Sequence, residues 1–250
     1  MGLLERLDDP GTQRRVGRFA WAMAWVGLVV GQLHALARFA TAEGREDLEL
    51  PLTRAWAEPA AELLAPLLEW GDEDLVYFTY GKVWFPVFVG FTLAAFAVHR
   101  RRSAARRLGG FERWTWRVVL AGYVAACVGV FLDYWTQWTG EENVLFTVGW
   151  VVTFPSFLLS VIGSTVLGAT LLVRGFRPWL PALLLAATFP LAFFVILQIT
   201  SMGSAALPIM FAFGLLGRRL AAGRPVPGAA APAAPQNETV GGVSWPAGAS

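Results

Sequence analysis

The chain has 250 residues, of which 56% are hydrophobic and only 15% are charged, and its formal net charge is +2. Soluble domains usually carry about a quarter charged residues, whereas the apolar residues here form runs of about 20, enough to cross a bilayer as helices. These numbers exclude an ordinary soluble domain and predict an all-α, polytopic transmembrane helical bundle. Cys127 is the single cysteine, which excludes an intrachain disulfide and a cysteine-based metal site.

Six apolar runs predict six membrane spans, and the last is at the lower limit of spanning length. In chain order they cover 18–40, 77–98, 114–135, 145–173, 179–200 and 202–217. The first run follows basic residues and ends at an ATA sequence, a pattern that also occurs in cleaved secretory signals. Its apolar part is longer than the about 7–15 residues of a signal and contains Gln32, His34 and Arg38, so we expect a retained first helix.

The distribution of basic residues predicts the orientation of the spans. Arginines collect before the first span, in the HRRRSAARR run at 99–107, around Arg174 and after the last span, whereas the loop at 41–76 is mainly acidic. The positive-inside rule therefore places both termini in the cytoplasm and the acidic loop outside, in a multi-pass protein of the cytoplasmic (inner) membrane. The basic run then sets the topology, and we expect no nucleic acid as a partner.

Residues 1–217 are thus predicted to form one transmembrane domain with an acidic, amphipathic outer loop at 41–76. Within that loop, LTRAWAEPAAELLAPLLEW at 52–70 spaces its apolar residues by three and four, and Pro66 should kink or end a helix there. Two interpretations stay open, short helices lying on the outer membrane surface, which we favour, or a lid folded over the bundle. Residues 218–250, rich in alanine, proline and glycine, predict a disordered cytoplasmic tail.

Small residues recur at helical spacing in two spans and predict close helix packing, because lipid offers no hydrophobic drive for helices to associate. These residues are Gly27 and Gly31 in the first span and Ser156, Ser160, Ser164 and Gly168 in the fourth. The serine hydroxyls have two further interpretations. They either line a path through the bundle or bond back to the carbonyl one turn earlier.

Polar residues from several spans are predicted to share one height in the outer leaflet. At a rise of about 1.5 Å per residue, His34, Lys82 and Asp133 each lie about 24–25 Å from the basic end of their span. The hydrocarbon core is about 30 Å thick. The sequence therefore predicts an outward-facing polar pocket lined by these three residues, with Tyr134 and Gln198 nearby.

Lys82 leaves two alternatives open. Its ammonium either snorkels to the membrane surface among aromatic side chains or faces inward and pairs with Asp133, because burying one of these charges alone is unfavourable.

Motifs for catalysis and cofactors are missing from the sequence. It has no HExxH, no GxSxG and no phosphate-binding glycine loop. His34 and His99 lie about 25 Å apart in height and cannot clamp one haem. We therefore predict no metal, no cofactor and no catalytic residue, and nothing in the sequence requires an enzyme.

The leading functional hypothesis is non-enzymatic binding or transport of a small solute, anionic if Lys82 attracts it. One alternative is a membrane-embedded subunit or scaffold that docks another membrane protein, or a second copy of this chain, through its small-residue helix faces. An intramembrane enzyme is the third. The partners predicted are the lipid bilayer, a small solute and a membrane-protein partner.

Overall fold

In a computed structural model of the chain, the described residues are 7–105, 107–136 and 144–224. Their helices are α1 Pro10–Ala40, α2 Pro51–Leu63, α3 Ala65–Leu68, α4 Glu73–Gly81, α5 Trp84–Ala105, α6 Gly110–Trp135, α7 Val144–Val173, α8 Trp179–Ala186, α9 Thr188–Phe194 and α10 Leu207–Ala221. Short 3-10 helices cover Gly44–Glu49, Ile196–Gln198 and Met202–Ala206. This part of the chain contains no strand.

Within the described ranges, five helical stretches are long and apolar enough to cross a membrane. They are Pro10–Ala40, Glu73–Ala105, Gly110–Trp135, Thr147–Val173 and Met202–Ala221. A sixth, Trp179–Ala186 with Thr188–Gln198, is bent by 48° at its break. The chain is therefore all-helical, with five or six such helices, as a multi-pass membrane protein requires.

Two helix breaks each lie four residues before a proline. Pro190 has no N–H to donate to the carbonyl of Ala186, and α8 ends at that residue. Pro86 likewise leaves the carbonyl of Lys82 without its helical donor, and the chain is broken between α4 and α5 at residues 82–83. Together α4 and α5 form the single spanning stretch Glu73–Ala105, which covers the span predicted at 77–98, and Lys82 lies at the break within it.

Basic residues from separate parts of the chain meet at one end of the bundle, the basic end. Arg100, near the end of α5, donates from Nε to Asp8 at 2.7 Å, and this hydrogen bond holds the pKa of Asp8 below its usual value. Arg102 donates to Glu112 of α6 at 2.5 Å, and both side chains are fully buried. The Arg102 guanidinium also lies 5.1 Å from the ring centroid of Phe176, so the turns after α5 and α7 meet here.

One face of the first helix packs against α5 and α10, whereas Trp25 and Val29 on its other side are exposed. Its small residues provide the room for this contact. A Cβ added to Gly27 would lie 2.7 Å from Met210 Cε of α10, and one added to Gly31 would lie 2.8 Å from the ring of Trp84. This face of α1 is therefore filled by helices of the same chain.

The small residues of α7 also contact the chain's own helices. Ser164 Oγ lies 2.6 Å from the hydroxyl of Tyr123 in α6 and donates to the carbonyl of Ser160 at 2.5 Å. A Cβ added to Gly168 would lie 2.7 Å from the carbonyl oxygen of Ala182 in α8. The scaffold hypothesis used these faces of the first and fourth spans for a partner, and in this structure they are buried inside the protein.

We expect Gly168→Ala to lower the free energy of unfolding by about 1–3 kcal/mol, because the new methyl group would overpack against backbone atoms of α8. This loss should appear although alanine is intrinsically about 1 kcal/mol better than glycine in a helix. The measurement is thermal unfolding in detergent. Gly110→Ala is the matched control, because a Cβ there meets nothing within 4 Å. An equal or raised melting temperature for Gly168→Ala would contradict the close approach of α7 and α8.

The outer loop packs on the end of the bundle opposite the basic end, here called the acidic end. Thr53 donates from Oγ1 to the carbonyl of Gln198 at 3.1 Å, and Trp56 donates from Nε1 to that of Ile199 at 2.6 Å. The chain breaks at Leu64 between α2 and α3, and Pro66 lies in the first turn of α3, in line with the expected helix end near this proline. These bonds hold the loop against the bundle, as the lid interpretation expects, whereas Leu52 and Leu63 stay 64% and 80% exposed, as the membrane-surface interpretation expects.

Two sequence predictions fall partly or wholly outside the described residues. The last helix continues to Ala221, beyond its predicted end at 217, and the rest of the predicted tail from residue 225 is not described. The second is the short loop between the third and fourth predicted spans, where Glu141 and Glu142 favour the outer side, and these residues are not described.

Candidate functional site

A partly enclosed cavity of about 700 Å³ lies at the acidic end of the bundle. Its walls come from the ends of α1, α4 and α6, the first half of α7, and the chain around residues 197–203. Exposed residues such as Glu43 and Asp74 form its rim, and buried residues such as His34 and Ser201 lie deeper. Helices distant in sequence therefore contribute to one space.

His34 lies in the cavity wall and is almost fully buried, with 1% of its surface exposed. Trp84 donates from Nε1 to His34 Nδ1 at 3.2 Å. Tyr77 stacks on the imidazole with 4.7 Å between ring centroids, and Tyr134 meets it edge-on at 5.2 Å. Because Nδ1 accepts a hydrogen bond from Trp84, the neutral imidazole carries its proton on Nε2. That atom has no hydrogen-bond partner among the described residues.

Local sequence explains how these rings come together. Gly31 lies one turn before His34 on α1, and its missing side chain leaves room for the ring of Trp84. Trp84 is the first residue of α5, so the helix break before it places the indole beside α1. The histidine is thereby held in one orientation by packing and by a hydrogen bond.

Arg38 forms the positively charged part of the cavity wall. Its Nε lies 2.9 Å from Asp47 Oδ2 in an ion pair, and its guanidinium also interacts with the hydroxyl of Tyr77. Thr41 caps the same turn by donating from Oγ1 to the carbonyl of Arg38 at 2.7 Å. Arg38 is thus fixed by groups of the protein and its charge is largely balanced by Asp47.

Asp133 lies in the last turn of α6, is half-buried and lines the cavity. Its neighbour Tyr134 has its hydroxyl 3.5 Å from that of Tyr77. Among the described residues, Asp133 accepts no hydrogen bond and forms no ion pair. It is therefore a carboxylate that faces the cavity without a partner in the described structure.

Two hydroxyl groups complete the polar wall. Thr153 of α7 and Ser201 are both more than nine-tenths buried and both line the cavity. Neither Oγ atom has a hydrogen-bond partner in the described part of the chain. Ser156 also lines the cavity, but its hydroxyl donates to the carbonyl of Thr153 at 2.9 Å. Thr153 and Ser201 therefore have hydrogen-bonding capacity left for a bound molecule.

The structure brings together three of the five residues predicted for the pocket. His34, Asp133 and Tyr134 line the same cavity. Lys82 does not line it. Its side chain is exposed, and Nζ lies 5.7 Å from the ring centroid of Trp135. Gln198 is also exposed, and its amide donates to the carbonyl of Phe193 at 3.3 Å.

Lys82 and Asp133 form no ion pair in the structure. The inward-facing alternative for Lys82 is therefore wrong, and the exposed alternative agrees with the geometry.

Five residues of the cavity wall are absent from the set predicted from the sequence: Arg38, Tyr77, Trp84, Thr153 and Ser201. Arg38 could have been predicted, because it lies four residues, about one helical turn, beyond His34 on the same helix. Tyr77 and Trp84 were interpreted as interfacial aromatics, and no sequence pattern distinguishes that role from a cavity wall. For the two hydroxyl residues we find no sequence signal.

The charges on the described lining residues are mostly negative. The ionisable members, apart from His34 and the tyrosines, are Glu43, Asp47, Asp74, Asp133 and Arg38. Four carboxylates therefore face one guanidinium, which is already paired. The expectation of an anionic ligand depended on Lys82, which does not line the cavity.

Within residues 7–105, 107–136 and 144–224, no three histidine, cysteine or carboxylate side chains converge to hold a metal ion. No protein-family model, curated protein or solved structure matches the chain. Inferences about function therefore depend on the geometry of the cavity.

We expect Lys82→Ala and Asp133→Asn to act independently on stability. A double-mutant cycle, followed by thermal unfolding in detergent, should give a coupling free energy below about 0.5 kcal/mol, the usual limit for separate sites. The physical reason is that Lys82 lies over Trp135 and not against the carboxylate. A coupling above about 1 kcal/mol would show that the two charges do meet in solution.

Proposed function

We propose that this chain is a multi-pass protein of the cytoplasmic membrane that binds a small solute in the cavity at its acidic end. The observation that carries the proposal is the set of buried polar atoms without partners around one space, namely His34 Nε2, Thr153 Oγ1 and Ser201 Oγ. Unsatisfied buried polar groups destabilise a fold, and a bound molecule or water that completes their hydrogen bonds accounts for their persistence.

The size and lining of the cavity agree with solute binding. Pockets for small molecules measure about 300–1,000 Å³ and combine mostly apolar walls with a few placed polar groups. The cavity here, of about 700 Å³, combines aromatic walls such as Phe88 and Phe157 with those polar atoms. Binding requires no chemistry beyond hydrogen bonds and charge, and the cavity contains no nucleophile–base pair that would suggest catalysis.

We further propose that the cavity opens to the outside and that both termini are cytoplasmic. The support is the separation of charge along the bundle, since Arg100, Arg102 and Arg174 lie near the basic end and the acidic loop covers the other. Basic residues in short loops are retained on the cytoplasmic side. The proposal therefore places the solute site on the outer face.

Labelling of single cysteines tests the orientation. In a Cys127→Ala background, Glu69→Cys of the outer loop should react with a membrane-impermeant maleimide on intact cells. Ser103→Cys at the basic end should react only after the cells are permeabilised, because its side chain would face the cytoplasm. The opposite pattern would reverse the orientation. Both positions are exposed, so they differ in side and not in burial.

Protection of a cavity cysteine tests solute binding. In the same background, the thiol of Ser201→Cys should react with iodoacetamide faster than that of Ser164→Cys, because residue 201 lines the cavity and residue 164 is packed against Tyr123. A solute at millimolar concentration that occupies the cavity should slow only the first reaction. The readout is alkylation rate by mass spectrometry, on purified protein in detergent.

The panel for this experiment is 2-phenylethylamine, 3-phenylpropionate, 2-phenylethanol and inorganic phosphate, which differ in charge. Slower alkylation with any one of them supports a solute-binding cavity. If none of the four changes the rate, or if the two thiols react equally fast without solute, solute binding in this cavity is contradicted.

A further inference from the structure

We propose that the bound solute is a small organic cation, an amine whose ammonium group lies against the carboxylate of Asp133. This inference rests on the proposed solute binding in the same cavity and adds the chemical class of the ligand. It reverses the charge that the sequence alone suggested. Four observations carry it, which concern the carboxylate, the nearby cations, the aromatic walls and the buried polar atoms.

The carboxylate of Asp133 needs a cation or hydrogen-bond donor that the described residues do not supply. It is half-buried in the last turn of a membrane helix and faces the cavity. A carboxylate at such a position is unfavourable unless it is paired, and acidic residues inside membrane domains mark ligand or ion sites for this reason. Asp133 lines the cavity, so a molecule bound there could supply the missing partner.

The cations nearest in the fold are engaged elsewhere. Arg38 is in an ion pair with Asp47 at 2.9 Å, and the Lys82 ammonium lies over the ring of Trp135. The stretch 137–143 that follows in the sequence contains no lysine or arginine. Because neither Arg38 nor Lys82 pairs with Asp133, the proposed partner of its carboxylate is a cation from outside the protein.

The aromatic walls favour an organic cation over a bare metal ion. Tyr77, Tyr134 and Trp84 surround the inner part of the cavity, and Trp150 lines it from α7. Aromatic faces attract ammonium groups through the ring quadrupole and also bury an apolar body. The volume of about 700 Å³ exceeds what a single ion needs and suits an amine that carries a carbon skeleton.

The buried polar atoms indicate a second contact on the ligand. The unpartnered Nε2–H of His34 is a donor, so it would be satisfied by an acceptor such as a hydroxyl or carbonyl oxygen. The hydroxyls of Thr153 and Ser201 can accept from or donate to the same molecule. An amine that also carries an oxygen acceptor would satisfy both ends of the site.

The test compares solutes of similar shape and different charge. The alkylation rate of Ser201→Cys is measured with 2-phenylethylamine, 3-phenylpropionate, 2-phenylethanol and sodium chloride. We expect the amine to protect at concentrations at least tenfold lower than the carboxylate or the alcohol. Equal or better protection by the carboxylate or alcohol would overturn the amine assignment and leave solute binding in place. Protection by sodium chloride equal to that by the amine would also overturn it, because a bare ion would then suffice. Protection by none of these solutes, and none by inorganic phosphate either, would instead contradict solute binding.

The variant Asp133→Asn locates the ammonium group. It should raise the amine concentration needed for half-protection at least tenfold and leave that of 2-phenylethanol unchanged. Glu62→Gln, which removes a carboxylate from the exposed outer loop, is the control for net charge and should change neither value. Unaltered amine protection in Asp133→Asn would overturn the proposed contact. If Asp133→Asn does not fold, Asp133→Glu, which keeps the charge, should still be protected by the amine. The order in which the solutes protect the protein with Asp133 intact then decides the proposal.

Discussion

Lipid cannot hydrogen-bond to a protein, so every polar group inside the bundle must find its partner within the chain, in water or in a bound molecule. The two ends of this bundle meet that constraint differently. At the basic end, Arg102 and Glu112 are both fully buried and pair at 2.5 Å. At the acidic end, Asp133 and His34 line a cavity, and neither the Asp133 carboxylate nor the buried Nε2 of His34 has a partner among the described residues. One end is closed by the protein, whereas the other keeps polar groups without partners among the described residues.

Helix breaks produce this difference between the ends. An uninterrupted helix fills its own backbone hydrogen bonds and packs side by side with its neighbours, which leaves little space. Here α4 and α5 are separated at residues 82–83, and α8 and α9 at residue 187, each four or fewer residues before a proline. The segments beyond these breaks belong to the acidic end, and they border the cavity from two sides. The outer loop, bonded to the chain at residues 198–199, then covers part of the opening.

Much of the fold was accessible from the sequence, because membrane spans are long runs with a simple physical requirement. The apolar runs predicted the helices to within a few residues at most ends, and the basic clusters predicted which helix ends meet. Height was also accessible, because helical rise is constant, and it correctly grouped His34 with Asp133. The direction in which a side chain points around its helix was not accessible. The break at residues 82–83 changes that direction at Lys82, and no sequence signal marks Thr153 or Ser201. Lys82 and Gln198 were therefore assigned to the pocket, and the two hydroxyl residues were missed.

The contact between the end of α4 and the end of α6 explains why Lys82 faces away from the cavity. Gly81 faces the ring of Tyr134 so closely that an added Cβ would collide with it. The residues that follow them in the sequence, Lys82 and Trp135, meet on the exposed side, where the Lys82 ammonium lies 5.7 Å from the ring centroid of Trp135. Because neighbouring residues in a helix point about 100° apart, fixing the inner pair also fixes the outer pair. A lysine at position 81 would have been excluded by Tyr134. Lys82 therefore lies one residue beyond the cavity wall, whereas Asp133 contributes its carboxylate to that wall.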